Sequence, residues 1–302
     1  LIFINGLPMV FVELKNSIVK VEEAYNDNLK NYLRDIPNLF AFNQICVLSN
    51  GLETRLGAFN ATYNHFFEWL KVDSEKERPN RQALKEAGTV GESSVRYFID
   101  GLLQKGRLID YIENFIMFRN QKNKIIAKNH QYFGVNNLME SVKNRAELQG
   151  KLGVFWHTQG SGKSFSMVFF ARKVRRKISG NFTFLIITDR EDLDDQIHKN
   201  FVKTEVIGQK EECQPKNGKQ LRDYLQTNKS FIFTLIHKFR YDKGKKYPVL
   251  STRDDIIVLV DEAHRTQYKD LAENMRTALP NANYIAFTGT PLLGSKRLTN
   301  QW

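Results

Sequence analysis

The stretch GVFWHTQGSGKSFSMVFFARKVRRKI, residues 153–178, decides the fold of the second half of this chain. An apolar strand leads into a loop with Gly160 and Gly162, and the loop passes through Lys163 and Ser164 into a predicted helix. The two glycines let the backbone approach a phosphate group closely, and the helix N-terminus adds positive potential. These are the parts of a Walker A phosphate-binding loop in its expected context. A glycine-rich turn before an ordinary helix is the alternative interpretation.

The loop predicts a site for the phosphates of ATP and for Mg²⁺. Lys163 would reach the β- and γ-phosphates, and Ser164 would hold the Mg²⁺ ion. The strict Walker A pattern begins with glycine, where this chain has His157, but that position does little of the phosphate binding. The residues that we expect around the nucleotide in this loop are Thr158, Gly160, Ser161, Gly162, Lys163 and Ser164.

A series of strand-like runs surrounds the loop from about residue 124 onward. They are near-continuous apolar segments, as expected of parallel strands that are buried on both faces, and helix-like runs alternate with them. The sequence therefore predicts an α/β parallel sheet made of βαβ units. The runs are GVFWHT, TFLIITD, SFIFTLI, DIIVLVDEAH and YIAFTGT.

Two of these runs end in side chains that suit phosphate chemistry. IIVLVDEAH carries Asp261, Glu262 and His264 at the carboxyl end of a strand, where ligands bind in open α/β sheets. Asp261 would anchor Mg²⁺ through water, and Glu262 would polarise the attacking water. YIAFTGTP places Thr288 and Thr290 at another strand end, where their hydroxyls could relay between the nucleotide and a bound nucleic acid. Taken singly, each motif could be an ordinary turn.

The bulk composition is that of a soluble globular chain, with 41% hydrophobic and 26% charged residues among 302. No apolar run approaches the roughly 20 residues of a membrane helix. Cys46 and Cys213 lie far apart without metal-type spacing, so we expect a reducing compartment, the cytoplasm, and no membrane. The net charge of +12 suggests a polyanion such as DNA or RNA, although a basic protein with solvated faces is the alternative. The basic run ARKVRRK, 171–177, is open to the same two interpretations.

The stretch LIFINGLPMVFVELKNS, residues 1–17, predicts a β-hairpin whose second strand carries Glu13 and Lys15. Alternation puts both side chains on the same face of the strand. A carboxylate there could bind Mg²⁺, and the ammonium could orient or deprotonate a water molecule, which is a nuclease arrangement. An exposed alternating strand with no chemical role is the alternative. We further expect a helix that stops at Pro37, a strand QICVLSNG, and one long helical run over 94–119.

Taken together, these segments resemble the R (restriction) subunits of type I restriction-modification enzymes over nearly the whole chain. The motor motifs are similar to motifs I, II and III of superfamily 2 helicases and translocases of the DEAH-box type. The Glu-x-Lys strand is similar to that of PD-(D/E)xK nucleases. In superfamily 2 helicases and translocases, segments similar to IITDREDLDDQI (186–197) and TLIHKF (234–239) contact the nucleic acid along its length. KNHQYFGV (128–135) resembles the Q motif, which implies that Gln131 reads the adenine edge.

The resemblance implies an α/β fold throughout. A PD-(D/E)xK nuclease-like domain would occupy residues 1–110, and a RecA-like motor domain of the P-loop NTPase class would occupy residues 111–302. The implied activity is ATP- and Mg²⁺-dependent translocation on double-stranded DNA, with cleavage of unmodified DNA. The implied partners are the specificity and methyltransferase subunits of the type I complex.

The resemblance also implies which residues act in the nuclease and where the family pattern is incomplete. Besides Glu13 and Lys15, the family has a Gln-x-x-x-Tyr motif on the following helix; Tyr32 matches it, and Asn28 stands where the family has Gln. The family's nuclease Asp would precede the first residue, and a second RecA-like domain would follow the last motif, so we expect a fragment with little or no turnover by itself. The metal ligands implied by the resemblance are Glu13, Ser164 and Asp261.

Two other functions stay open at this point. One is a superfamily 2 DNA helicase or remodelling ATPase in which the Glu-x-Lys pair is structural. An assay of duplex unwinding separates it from a translocase, which tracks along DNA without separating the strands. The other is a non-catalytic DNA-binding or assembly module, and robust DNA-stimulated ATP hydrolysis by the fragment would exclude it.

Overall fold

The computed structural model describes residues 1–77, 93–156, 158, 160–241, 247–261 and 269–289. The chain divides into two compact units, Leu1–Gly134 and Val135–Trp302, and each is described by itself. The division falls inside helix Asn129–Lys143, which begins in one unit and ends in the other. The domain boundary that the sequence places after residue 110 stays a prediction; the division of the structure falls further along the chain.

A five-stranded mixed sheet forms the centre of the first unit, with the strand order β1-β2-β3-β4-β5. β2 and β3 run parallel, and the other neighbouring strands are antiparallel. The predicted hairpin is confirmed, because Asn5 and Gly6 join β1 to β2 with positive φ angles of 49° and 80°, as in a two-residue hairpin turn. The predicted strand QICVLSNG is confirmed as β3. The strands are β1 (Ile2–Ile4), β2 (Leu7–Leu14), β3 (Ile45–Ser49), β4 (Thr54–Gly57) and β5 (Phe67–Glu68).

An irregular helix, α1, packs on β2 and β3. It consists of an α-helical turn at Val21–Glu23, a π-helical stretch at Ala24–Leu29 and a second α-helical stretch at Lys30–Asp35. As predicted, it stops before Pro37, which begins a 3₁₀ turn at Pro37–Phe40 because proline cannot continue the helix. The buried residues that join α1 and this turn to the sheet include Phe11, Leu29, Phe40, Leu48 and Phe66.

The prediction of one helical run over 94–119 is wrong. The chain forms two helices there and ends in a strand, since a short apolar run fits a helix and a strand equally well by its pattern. The first helix stops at Gly101, which lies so close to Trp69 that a side chain at 101 would come within 2.6 Å of the indole Nε1. The elements are α2 (Ser94–Gly101), α3 (Lys105–Asn114) and the antiparallel hairpin β6 (Ile116–Arg119) and β7 (Asn123–Ile126).

A fully parallel five-stranded sheet forms the second unit, with the strand order β10-β9-β11-β12-β8. The predicted α/β class is confirmed, and every residue of β9 to β12 is buried, as their apolar runs predict. Because the strands run the same way, their carboxyl ends meet at one edge. The strands are β8 (Lys151–Trp156), β9 (Thr183–Thr188), β10 (Phe231–Leu235), β11 (Ile256–Asp261) and β12 (Asn283–Thr288). The helices are α4 (Asn129–Lys143), α5 (Lys163–Lys177), α6 (Glu191–Lys203), α7 (Gly218–Gln226) and α8 (Lys269–Ala278).

The basic run 171–177 at the end of α5 is divided between the interior and the surface. Lys173 is buried and donates to Asn136 Oδ1 over 2.5 Å, so it belongs to neither a solvated face nor a DNA contact. Arg175, Arg176 and Lys177 are exposed in the last turn, where positive charge complements the helix dipole. A DNA contact by these three residues stays a prediction.

Both cysteines are free thiols in the interior. Burial raises the pKa of the Cys46 thiol, and the positive charge of Lys124 offsets part of that effect. Burial also raises the pKa of the Cys213 thiol, to about 12, so neither sulfur is an activated thiolate. As far as the structure describes the helices, none is long and apolar enough to cross a membrane.

Candidate nucleotide and nuclease sites

The loop between β8 and α5 has the backbone geometry that its glycines predict. Gly160 and Gly162 have φ angles of 78° and 95°, which residues with a side chain rarely adopt. The Ser161 N–H donates to the Thr158 carbonyl over 3.1 Å, which closes a turn that includes Gly160. The loop therefore turns tightly and delivers Lys163 at the first position of α5.

Lys163 and Asp261 form an ion pair at the carboxyl edge of the parallel sheet. The Lys163 Nζ lies 2.7 Å from Asp261 Oδ1, and the two side chains are 18% and 5% exposed. β12 separates the two strands that lead to them, so the contact spans a gap of one strand. The structure thus brings the lysine of the phosphate loop and the acid at the end of β11 together. Their roles in ATP chemistry stay predictions.

Trp156 connects the phosphate loop with the third motif, and sequence reasoning missed it. It ends β8 and pairs in register with Thr288, which is fully buried at the end of β12. The Trp156 indole N–H donates to the Gly289 carbonyl over 3.1 Å, although 60% of the residue is exposed. A tryptophan directly before the loop was the available signal.

Four predicted or discussed positions lie outside the described residues: His157, Glu262, His264 and Thr290.

Gln131 lies in the first turn of α4 in the first unit, where it is buried. Its Oε1 accepts a hydrogen bond from the Lys128 N–H over 2.9 Å, which satisfies a donor at the start of the helix. This capping contact gives Gln131 a structural reason to be there. The reading of an adenine edge by its amide stays a prediction.

Glu13 and Lys15 lie at the end of β2 beside β3. Glu13 pairs in register with Leu48, and the Lys15 N–H donates to the Ser49 carbonyl over 2.7 Å, which continues the parallel ladder. Both side chains are half-buried. Burial raises the pKa of the Glu13 carboxyl, and the nearby Lys15 ammonium offsets part of that effect. The carboxylate and the ammonium are therefore close enough to interact, as the alternation of the strand predicts.

Helix α1 carries the other two predicted nuclease residues, Tyr32 and Asn28, and packs on β2. The Tyr32 ring packs edge-on against Phe11 at 5.6 Å between centroids, and Phe11 shares its face of β2 with Glu13. Asn28 lies in the π-helical stretch, and its Oδ1 is buried without a hydrogen-bond partner among the described residues. Among all the residues that the structure describes, no group of three or more acidic, histidine or cysteine side chains could hold a metal ion. Metal binding by Glu13 stays a prediction.

The two segments that resemble nucleic-acid contacts lie side by side at the carboxyl edge of the second sheet. Segment 186–197 covers the end of β9 and the start of α6, and segment 234–239 covers the end of β10 and a 3₁₀ turn. β9 and β10 are neighbours. Arg190 and His237 are exposed on these segments, so their side chains are available to a partner.

We expect Gly162→Ala to destabilise the second unit by about 1–2 kcal/mol, because a side chain at φ 95° clashes with its own backbone. Urea unfolding of the purified chain measures the effect. The matched control is Gly208→Ala, since an added Cβ there meets no atom within 4 Å. Equal stability of the two variants would contradict the prediction.

The two regions of the chain that carry these residues match known protein families. Residues 1–65 match the sequence model of the type I restriction enzyme R protein N terminus, and residues 130–302 match that of the SWI2/SNF2 ATPase. The endonuclease subunit of the type I restriction enzyme HindI of Haemophilus influenzae is 36% identical and aligns with 96% of this chain. This chain belongs to the R subunits of type I restriction enzymes. The family resemblance drawn from the motifs is thereby confirmed.

Other matches of the R-subunit chain agree with this assignment or add little to it. The putative type I restriction enzyme MjaIXP endonuclease subunit of Methanocaldococcus jannaschii is 34% identical over 96% of the chain. The chain spans 29% of the length of each of these two relatives. The crystal structure of the UvsW helicase from bacteriophage T4 aligns with 93% of this chain and 90% of its own, at 13% identity and a TM-score of 0.46. A likeness at that level carries no conclusion about function.

Proposed function

We propose that this chain is the nuclease and first motor region of an R subunit that hydrolyses ATP to move along double-stranded DNA and cuts unmodified DNA. The observation that carries the proposal is the presence of two sites on one chain. The Lys163–Asp261 pair lies in the ATPase-matching region, and the strand with Glu13 and Lys15 lies in the region that matches the R protein N terminus. The names of the relatives support an endonuclease subunit.

In the motor region, Lys163 binds the β- and γ-phosphates of ATP, and the loop residues from Thr158 to Ser164 surround them. The Ser164 hydroxyl and the Asp261 carboxylate are hard oxygen donors, which suit Mg²⁺, and Asp261 is buried at the strand end where such an ion would lie. Mg²⁺ supplies charge neutralisation on the phosphates when it is bound. Glu262 orients the attacking water.

In the nuclease region, Glu13 is a carboxylate ligand for Mg²⁺ and Lys15 orients or deprotonates the attacking water. The raised pKa of Glu13 fits a half-buried carboxylate that a cation would stabilise in its charged form. Asn28 and Tyr32 on α1 support this face. Specificity and methyltransferase subunits supply the recognition of the DNA sequence, and the complex works in the cytoplasm.

A triplex-displacement assay tests this function in the full-length R subunit with its partner subunits. The substrate is an unmethylated duplex that carries the recognition site and, further along, a bound triplex-forming oligonucleotide. We expect ATP to drive release of the oligonucleotide while the duplex strands stay paired, and a non-hydrolysable ATP analogue to give no release. Release of a duplex strand would favour the helicase alternative. No ATP-dependent release and no DNA-stimulated hydrolysis would favour the non-catalytic module.

A further inference from the structure

Asp194 is a buried carboxylate in the first turn of α6. It is 6% exposed, whereas Glu191 and Asp192 of the same turn are exposed and already complement the positive end of the helix. An acid needed only for the helix dipole would stay at the surface, because burial of a carboxylate costs free energy. Asp194 therefore has another reason to be buried.

Two elements besides α6 hold this carboxylate. Gln214 Nε2 donates to Asp194 Oδ2 over 2.8 Å. Thr188 Oγ1 at the end of β9 lies 3.5 Å from Asp194 Oδ1 and 3.3 Å from the Arg190 carbonyl, and its one proton is shared between these two acceptors. Gln214 belongs to the loop between α6 and α7. That loop lies against β10, because the Phe233 N–H donates to the Cys213 carbonyl over 2.8 Å. Asp194 thus joins β9, α6 and the loop.

The same loop is tied to the 3₁₀ turn after β10. Lys238 Nζ donates to the carbonyl of Pro215, which follows Gln214. Burial raises the pKa of the Asp194 carboxyl, and the Gln214 hydrogen bond and the Lys238 charge offset part of that effect. Thr188 and Asp194 lie within segment 186–197, and Lys238 lies within segment 234–239. The contacts therefore connect the two segments that resemble nucleic-acid contacts.

We propose that Asp194 is a positioning residue that acts through Gln214 to fix segments 186–197 and 234–239 as one rigid DNA-contacting surface. The inference rests on the proposed function, because it needs DNA to be the polymer that these segments follow. Asp194 is too buried to touch DNA; it acts through exposed neighbours such as Arg190. When the contact between Asp194 and Gln214 is weakened, the parts of the two segments beyond the β9–β10 ladder are held less firmly to each other, and DNA binding then costs more ordering entropy.

The test compares Gln214→Leu and Asp194→Asn in the full-length R subunit with its partner subunits. ATP hydrolysis is measured against the concentration of an unmethylated duplex that carries the recognition site. We expect the half-saturating DNA concentration to rise roughly three- to tenfold in each variant, because Gln214→Leu removes the hydrogen bond and Asp194→Asn replaces a charge-assisted bond by a weaker neutral one. The maximal rate of ATP hydrolysis at saturating DNA should equal that of wild type in both variants. Gln214→Leu should also keep the wild-type basal rate without DNA. Asp223→Asn, an exposed acid on α7, is the matched control and should change nothing.

Thermal unfolding at pH 7 separates positioning from a purely structural role. Asp194→Asn should raise the unfolding midpoint, because a carboxyl with a raised pKa stabilises the fold only when protonated and loses that contribution as pH rises through the pKa. The gain should shrink as pH falls toward the unfolded value of about 3.9. Gln214→Leu should lower the midpoint, since it leaves the carboxylate without its amide donor. Two charged groups face the Asp194 side chain, namely Asp195 and Lys238, and both are unchanged in the two variants.

Opposite shifts in stability with the same shift in DNA saturation would support the proposal. If wild type is stimulated by DNA and neither variant changes the half-saturating concentration, the proposal fails while the proposed function stands. If DNA saturation instead follows the stability shift, improving in Asp194→Asn, the residue is structural and the proposal also fails. A wild-type complex that DNA does not stimulate would overturn the proposed function and this inference with it.

Discussion

Replacing Lys163 by alanine is expected to lower DNA-stimulated ATP hydrolysis by at least about a hundredfold, because the variant loses the charge that would stabilise the phosphates in the transition state. The measurement is steady-state hydrolysis by the full-length R subunit in its complex, with nucleotide binding followed separately. Lys177→Ala is the matched control, since Lys177 is an exposed lysine at the other end of the same helix. A hydrolysis rate within threefold of wild type would contradict the role of Lys163.

The variant has a second effect that must be separated from the first. Removal of the lysine leaves Asp261 buried without its ion-pair partner, which should destabilise the second unit by roughly 3 kcal/mol. The double variant Lys163→Ala with Asp261→Asn removes the unpaired charge, so it should recover stability. It should not recover hydrolysis. Recovery of both would mean that the single variant failed through unfolding alone.

Glu13→Ala is expected to abolish plasmid cleavage while DNA-stimulated ATP hydrolysis persists. Loss of a metal-ligating carboxylate removes several kcal/mol of transition-state stabilisation, so cleavage should fall by at least about a hundredfold. The residues proposed for the two activities lie in different units of the chain, which is why we expect that one can be lost without the other. Cleavage of an unmethylated plasmid with the recognition site and ATP hydrolysis are measured in the same tubes.

Glu22→Ala is the control for this change, because Glu22 is an exposed acid in the first turn of α1 of the same unit. It should cut like wild type. If Glu13→Ala also cuts like wild type, the Glu-x-Lys pattern is an ordinary strand and the nuclease part of the proposal is wrong. Loss of ATP hydrolysis along with cleavage would point to a damaged complex and not to a lost ligand.

The sequence predicts the parallel sheet and its phosphate loop well, because both follow from local rules. Apolar runs identify strands buried on both faces, and glycine at two loop positions matches the positive φ angles found there. The order of the motifs along the chain also places Lys163 and Asp261 at one edge of the sheet. The 2.7 Å contact between the two side chains depends on the tertiary structure, and the sequence pattern alone does not predict it.

Other features depend on packing that no local pattern records. The strand Ile116–Arg119 was predicted as helix because its three apolar residues fit both periods, and pairing with β7 decides between the two structures. Lys173 belongs to a basic run, yet its side chain is buried because it donates to Asn136 on another helix. Asp194 and Gln214 are 20 residues apart along the chain, so no local pattern predicts the hydrogen bond between them.

If Lys163 binds the phosphates of ATP as proposed, its ion pair with Asp261 makes nucleotide binding an exchange of partners. Asp261 pairs with the same ammonium group that the phosphates of ATP would then contact. An arriving nucleotide must displace it, and the released carboxylate is then free to serve an incoming cation. The affinity of the proposed site for ATP would then be reduced by the free energy of the contact that it gives up.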